Sequence, residues 1–543
     1  MELKITPGLI QRLHDLEPRL QAICQISGIP GCSIGVMHEG QVVWKANLGH
    51  RNVELSLKTQ SDTVYNIDSI TKSMTAAAFG LLVADGKVKW ETPVRDIIPE
   101  FASLGDELDK QITPLDLLSM RSGNTMLDSM SWQGNNYIFF KKSETIALWN
   151  ATPRQGSFRN SFLYNNWCYA VVGVIIEKLS GQSLHDFLRE RIFEPLHLKN
   201  TRMTDFTPDE KRTLCYAILD DRSPVAIPEP AIGTGTFMEG ASGLLSTVDD
   251  MFVLYGAYMA AIKDQTSRRT NSTHGNPFKE CTTLTSGHNF LGNSISLREQ
   301  TYACALVRCQ LPGPLGMLSM NMKLMNIPPK NVMPNAAEGA SSRLCFYHQG
   351  LMPGSSANVA FLPETDTIVA VLANACPLGD GADWMSQMIM EVIFEAPVRH
   401  DYESFARETA AKVLDHLPSL KRTQEANRLV GTTPSFPLEE YAGKYHHTQT
   451  RFWVEIAVVK ECLSICFMGV KMETYELRHY QDDTFTWIIS FNEAARRGRF
   501  VHYYDAVHYL IRFADDGQGI RRLYWHCTRD TGETPYLFLK SQV

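Results

Sequence analysis

The amino-acid sequence predicts an α/β fold of the α+β kind, an antiparallel sheet flanked by helices with an all-α region inserted in it, followed by a small antiparallel β-barrel. Three observations carry this prediction. Alternating apolar and polar runs stand at 32–37 and 41–48 and return between 302 and 373. Helix-forming segments fill the interval 69–203, and from 433 onward short alternating runs succeed one another with turns between them.

An amphipathic helix is expected over 7–25, followed by a hairpin of 32–37 and 41–48 about a turn at His38-Glu39-Gly40. Val64 to Ile67 reads as a short extended entry. After it, residues 71–85 form an unbroken run of helix formers (Met74, Ala76, Ala77, Ala78, Leu81, Leu82) closed by Gly86. The sheet resumes at 302–308, with further strands at 343–349, 356–362 and 367–373. Two stretches, 264–296 and 310–340, read as loops because Ser, Thr, Asn and Gly dominate the first and Pro, Met and Asn the second. The second holds Met317, Met320, Met322, Met325 and Met333; such a stretch suits a plastic apolar pocket, with core filling as the alternative. A charged amphipathic helix is expected over 401–417 and a linker ending at Pro437, which divides the chain into 1–397, a helical linker 398–432, and 433–543. Barrel strands are expected at 452–458, 463–467, 484–489, 507–513 and 519–525.

Composition excludes several classes of function. With 44% hydrophobic and 20% charged residues, the 543-residue chain is ordinary core-forming material. A net charge of −7 without a basic cluster gives nucleic acid or an anionic membrane surface nothing to bind. No apolar run is long enough to span a bilayer, and the opening Met1-Glu2-Leu3-Lys4-Ile5-Thr6-Pro7 lacks the parts of a signal peptide, so a cytoplasmic location is expected. The 12 cysteines form no Cys-x-x-Cys pair, and Cys462 and Cys466 share one face of a strand, so buried structural thiols are expected in place of disulfides or metal ligands. Gly233-Thr234-Gly235-Thr236 followed by Gly240 has the wrong spacing for a dinucleotide loop, and neither His-Glu-x-x-His nor Gly-x-Ser-x-Gly occurs. Neither a cofactor nor a metal is implied, and the oligomeric state is open.

Three strings carry the chemistry: Ser69-Ile70-Thr71-Lys72, Tyr164-Asn165-Asn166 and His348-Gln349-Gly350. A serine three residues before a lysine at a helix start shares a helical face with it, so the Lys72 amine can take the Ser69 proton. Alone, that serine reads equally as a helix cap. A serine hydroxyl needs a base to attack, and either Lys72, with its pKa lowered by burial, or Tyr164 beside the ammonium can serve. Asn166 offers a donor and an acceptor, to hold Lys72 or a substrate carbonyl. The bland alternatives are a core tyrosine at 164 and a strand-surface histidine at 348.

Taken in order, the strings resemble the serine β-lactamase and penicillin-binding-protein superfamily on its class C side, which includes esterases, D-aminopeptidases, thioesterases and statin-type acyltransferases. The flanks are similar as well: Thr63-Val64-Tyr65-Asn66-Ile67-Asp68, residues 112–123, 158–166 and 192–196, and Gly240-Ala241-Ser242-Gly243-Leu244-Leu245-Ser246-Thr247. The resemblance implies a β-lactamase-like catalytic domain and an acyl-enzyme on Ser69, with Tyr164 as general base and Lys72 as its electrostatic partner. The backbone N–H groups of Ser69 and Leu351 are expected to form the oxyanion hole, Gly350 to let the substrate lie close to the strand, and His348 to contact the leaving group or an acceptor. His348 stands where the superfamily usually has lysine, which favours neutral esters over carboxylate-bearing penicillins. The segment Tyr302-Ala303-Cys304-Ala305-Leu306 departs from the glycine-bearing strand usual there.

Leu438-Glu439-Glu440-Tyr441-Ala442-Gly443-Lys444-Tyr445 resembles the opening of a lipocalin-like appendage, expected to pack on the catalytic domain and stabilise it. The expected activity is hydrolysis of an ester, lactone, thioester or amide of a small molecule, free or carrier-bound, in small-molecule biosynthesis. Transfer to a non-water acceptor and a non-catalytic binding protein on the same scaffold are the alternatives.

Overall fold

The structure is a computed structural model that describes residues 7–101, 107–132, 134, 136–205, 207, 209–291, 298–326, 333–517, 519–527 and 535–541. Its main sheet has nine antiparallel strands in the order Leu57–Lys58, Gln41–Asn52, Gly31–His38, Thr367–Ala373, Ser355–Leu362, Arg343–Met352, Val307–Leu311, Gln300–Tyr302 and Asn289–Phe290. The first hairpin turns through Glu39 at φ 51° and Gly40 at φ 75°, the left-handed pair whose twist matches that of the strands it joins.

Strand alternation assigns the two faces of the sheet. Gly35, Ala370, Val359 and His348 lie opposite one another across four strands and share a face, while Ile34, Val371, Asn358 and Gln349 share the other. On the first face a Cβ at Gly35 would come 2.5 Å from the Phe252 ring, so only glycine lets helix Val248–Arg268 lie this close. On the second, Gln349 reaches Asp383 of helix Gly381–Ile393. That helix packs in turn on Glu17–Ser27 through Met385 and Cys24, and on Tyr402–Asn427 through Trp384 and Phe405.

Several elements differ from expectation for local reasons. The segment 7–25 forms two helices, Pro7–His14 and Glu17–Ser27, because the ring of Pro18 excludes the carbonyl four residues back and suits only a first helical turn. The stretch 302–308 is a tight turn joining two strands: Ala303 N–H donates to Leu306 at 2.8 Å and Ala305 takes φ 67°, the left-handed position where a glycine would be easier. Helix Val248–Arg268 takes up the start of the expected loop 264–296, and Cys281–Thr285 interrupts it. The helix Met320–Met325 lies within 310–340. The portions 292–296 and 327–332 fall outside the described residues. The helix after the sheet runs on to Asn427, past Pro418.

The C-terminal barrel closes with eight strands, because Tyr536–Lys540 pairs with the first strand Gly443–His447. Its interior is filled by Phe467, Trp487, Trp525 and Phe538, all buried, with the Phe467 and Trp525 rings 5.4 Å apart. Between Thr484–Thr486 and Leu510–Asp515 the chain leaves the barrel to form helix Phe491–Arg496 and the segment 498–504. The barrel is tied to the catalytic domain by an Arg451–Glu144 ion pair and by Arg451 donating to the Phe139 carbonyl at 2.7 Å.

All twelve cysteines are free thiols. Cys462 and Cys466 do share a face, but it is the outer one: Cys462 is exposed and Cys466 half-buried, against the expected burial. Among the described residues no helix is long and apolar enough to cross a membrane.

Candidate active site

Strand Tyr65–Asn66 pairs with Leu244–Ser246 and delivers the chain into a 3-10 turn, Asp68–Ile70, that opens helix Thr71–Ala84. Ser69 stands in that turn. The residue before it, Asp68, holds a left-handed φ of 49°, uncommon outside glycine, and its buried carboxyl accepts Ser355 Oγ at 2.9 and 3.0 Å. Burial raises the Asp68 carboxyl to about 8. A Cβ at Gly350 would come 2.5 Å from the Ile67 carbonyl. The glycine therefore lets the strand Arg343–Met352 approach the turn carrying the serine, which corrects the expectation that it makes room for substrate.

The three-residue spacing does what a helix requires of it. Lys72 is fully buried and its Nζ lies 2.8 Å from Ser69 Oγ and 2.9 Å from the Ala241 carbonyl, 5.0 Å over the Tyr164 ring. Burial lowers its pKa to about 7, partly offset by the nearby charges of Asp128 and then Asp68. Segment 240–247 is laced to the serine helix: Thr75 Oγ1 donates to the Gly240 carbonyl at 2.7 Å and Leu244 N–H to Thr71 Oγ1 at 3.0 Å. This lacing fixes the Ala241 carbonyl over the amine.

Tyr164 is half-buried just before helix Asn166–Ser180, whose cap is Asn165, accepting Trp167 N–H at 2.9 Å. Asn166 does not reach Lys72 as one expectation had it. Its Nδ2 donates to Asp128 Oδ2 at 3.3 Å, and its buried Oδ1 has no protein partner. Asp128 also accepts Trp167 Nε1 at 3.0 Å, so one carboxylate orients the tyrosine-motif helix and faces the lysine.

His348 departs furthest from expectation. It is fully buried, Nδ1 lies 2.5 Å from the Gln349 carbonyl, and Nε2 lies 3.4 Å from Tyr302 OH. The carbonyl can only accept, so Nδ1 carries the proton and Nε2 accepts from the tyrosine. Burial, and then the charge of Lys72, lower its pKa to about 3. The ring is thus a neutral packing element behind Tyr164, its centroid 6.2 Å from the tyrosine's, and not part of the cavity wall. Neither the leaving-group contact nor the surface position describes it.

A cavity of about 310 Å³ opens beside Ser69, with Tyr164, Asn166, Gln349 and Leu351 on its wall. Met317, Met320 and Met322 supply an apolar side, as one reading of the Met-rich stretch had it, and Trp132 and Phe162 another. The remaining wall comes from the barrel: Arg499, Phe500, Tyr503 and Tyr504. Phe500 packs edge-on against Trp132 at 5.7 Å, and the Tyr504 ring stacks on His508 at 3.8 Å, anchoring the segment to the barrel core. The appendage does pack on the catalytic domain, but it also completes the cavity, a role sequence reasoning missed. The signal was the aromatic run Phe500, Tyr503, Tyr504 in a stretch without strand alternation. Asp68, Asp128 and Ala241 were missed too, and no spacing in the sequence marks them.

A beta-lactamase family model matches residues 18–386, and a domain of unknown function, DUF3471, matches residues 427–535. The chain is 30% identical over 183 residues to an unguisins hydrolase of Aspergillus campestris, covering 32% of this chain and 34% of that protein. The match thus spans only about a third of the length of that relative and of a second unguisins hydrolase from Aspergillus violaceofuscus. It is 22% identical over 361 residues to a beta-lactamase of Yersinia enterocolitica, covering 65% of this chain and 84% of that one. In fold it is similar to the octameric penicillin-binding protein homologue from Pyrococcus abyssi, with TM-score 0.55 and 18% identity over 97% of this chain and 100% of that one. With a family match across more than half its length and a serine-lysine pair at the same motif, the chain belongs to the beta-lactamase family.

Proposed function

We propose that the protein is a serine hydrolase that forms an acyl-enzyme on Ser69 from a small-molecule ester, thioester, lactone or amide. The observation that carries this reading is the 2.8 Å contact between Ser69 Oγ and a buried Lys72 whose pKa is lowered to about 7. In the proposed reaction the unprotonated amine takes the Ser69 proton as Oγ attacks the acyl carbon. The Ser69 and Leu351 N–H groups hold the oxyanion, and Tyr164 returns a proton to the departing alkoxide, thiolate or amine. Water then attacks the acyl-enzyme carbonyl, regenerating Ser69 and releasing the acid. The apolar cavity wall favours a second outcome, in which an alcohol or amine bound there replaces water as acceptor. The unguisins hydrolase relatives favour a substrate from secondary metabolism, and the opening sequence favours work in the cytoplasm.

Intact-protein mass spectrometry after exposure to a panel of acyl esters and thioesters tests this reading. Wild type is expected to gain the acyl mass and Ser69→Ala to gain none. Equal modification of a well-folded Ser69→Ala would overturn the assignment of the nucleophile.

A further inference from the structure

The wall of the cavity beyond the motif strand is built from two buried carboxyl groups with uncharged partners. Asp380 caps helix Gly381–Ile393 and lines the cavity; its Oδ1 accepts Asp383 N–H at 3.0 Å and its Oδ2 accepts Ser319 Oγ at 2.7 Å. Asp383, one turn inside the helix, accepts Gln349 Nε2 at 3.2 Å on one oxygen, and Asn321 Nδ2 and Gln387 Nε2 at 3.1 Å on the other. Among the described residues neither carboxyl forms an ion pair, and Lys323, which lines the same cavity, pairs with neither.

Buried carboxylates ordinarily have a cation nearby, because removing the charge from water is costly. Here burial raises both acids, and the charge of Asp383 raises Asp380 further. An independent feature points the same way. Gln349 is 4% exposed and lines the cavity, and having given its Nε2 to Asp383 it leaves Oε1 buried with no partner. Gln387, fully buried behind it, is in the same condition. Reversing either amide would set its oxygen against a carboxylate, so the orientation is forced. The corner thus presents acceptors and negative charge with no cation to complete it.

We propose that this corner is an ammonium subsite: Asp380 and Gln349 Oε1 receive a protonated amine of the substrate whose acyl carbon lies at Ser69. This rests on the acyl-enzyme reading above and names the substrate class within it, acyl compounds carrying a primary amine. An alkylammonium has three N–H donors and one positive charge, which match the unfilled acceptors and the uncompensated carboxyl. A carboxylate-bearing substrate would meet repulsion at the same corner.

The experiment compares kcat/KM for matched p-nitrophenyl esters, 6-aminohexanoate against heptanoate, and for a matched pair with the amine on the leaving alcohol. Wild type is expected to prefer the amine-bearing member of at least one pair by about tenfold or more, and Asp380→Asn, which keeps the helix cap, to lose at least nine-tenths of that preference. Because the readout is a ratio, a general loss of activity in the variant does not affect it. As a check on folded wild type, n-pentylammonium is expected to compete with the heptanoate ester and n-pentanol at equal concentration to compete more weakly. If the heptanoate ester acylates Ser69 but neither pair shows an amine preference, or Asp380→Asn keeps it, the subsite is refuted and the acyl-enzyme stands. If no ester acylates Ser69, the acyl-enzyme reading itself fails.

Discussion

Asp128→Asn isolates the electrostatics of the proposed base. Lys72 is held near a pKa of 7 by burial, and the Asp128 carboxylate is the foremost charge opposing that shift. With a midpoint of about 7, the unprotonated fraction is about 10% at pH 6 and about 90% at pH 8, so kcat/KM at pH 6 should be about one-tenth of its value at pH 8. Removing one opposing charge in a buried site lowers the midpoint by about one unit, the small end of the usual range because Asp128 is already shared with Asn166 and Trp167. The ratio then rises to about one-half. The substitution is nearly isosteric, and the new amide can donate to the unfilled Asn166 Oδ1. The assay is a pH profile of kcat/KM on a neutral ester, read as the ratio of two points so that a general loss of activity cancels. A limb that stays in place, or moves to higher pH, would refute Lys72 as the titrating group.

Asp68 has a folded pKa of about 8, above the ordinary 3.8, so the stability it lends as a neutral acid is complete below about pH 4 and lost as pH rises through 8; the Tm of Asp68→Asn minus that of wild type should therefore widen between pH 5 and 8 in a thermal-shift series. His348→Lys would bury a second amine near Lys72, and its Tm should fall about 5 °C or more below that of His348→Gln, whereas equal values would place the side chain in solvent. Phe500→Ala should raise KM for an aryl-acyl ester about tenfold more than KM for the acetate ester, the loss of roughly 1.4 kcal/mol of aromatic contact. An equal change for both esters would remove the barrel from substrate selection.

What was legible in the sequence was whatever depends on local periodicity. Ser69 and Lys72 meet because a helix brings positions three apart together, and the strands around 343–373 alternate or run apolar as a buried sheet must. What escaped depends on chain segments distant in sequence. Asp128 reaches Lys72 only because Asn166 and Trp167 of another helix hold it there, and Ala241 contributes a carbonyl that every residue type possesses. His348 was read by the chemistry of its family position. Strand alternation placed it beside Gly350 on the inward face, and burial there turned a candidate contact into a packing residue. The hairpin hidden in 302–308 was missed because Ala305 occupies the left-handed turn position without the glycine that would have announced it.

The wall contributed by 498–504 sets an order on the enzyme's birth. Ser69, Lys72 and the last strand of the catalytic sheet, which ends at Ala373, leave the ribosome well before the strand that closes the barrel, which ends at Lys540 roughly 170 residues later. At about 5–20 residues per second that is an interval of roughly ten to thirty seconds in which the nucleophile can exist with its fourth wall missing. During translation the serine is exposed to acyl compounds that the finished cavity turns away, and premature acylation would be a hazard of synthesis that the mature protein no longer faces. Selectivity is thus acquired after reactivity, and a chain stopped short of the barrel would be an indiscriminate enzyme before it was an inactive one.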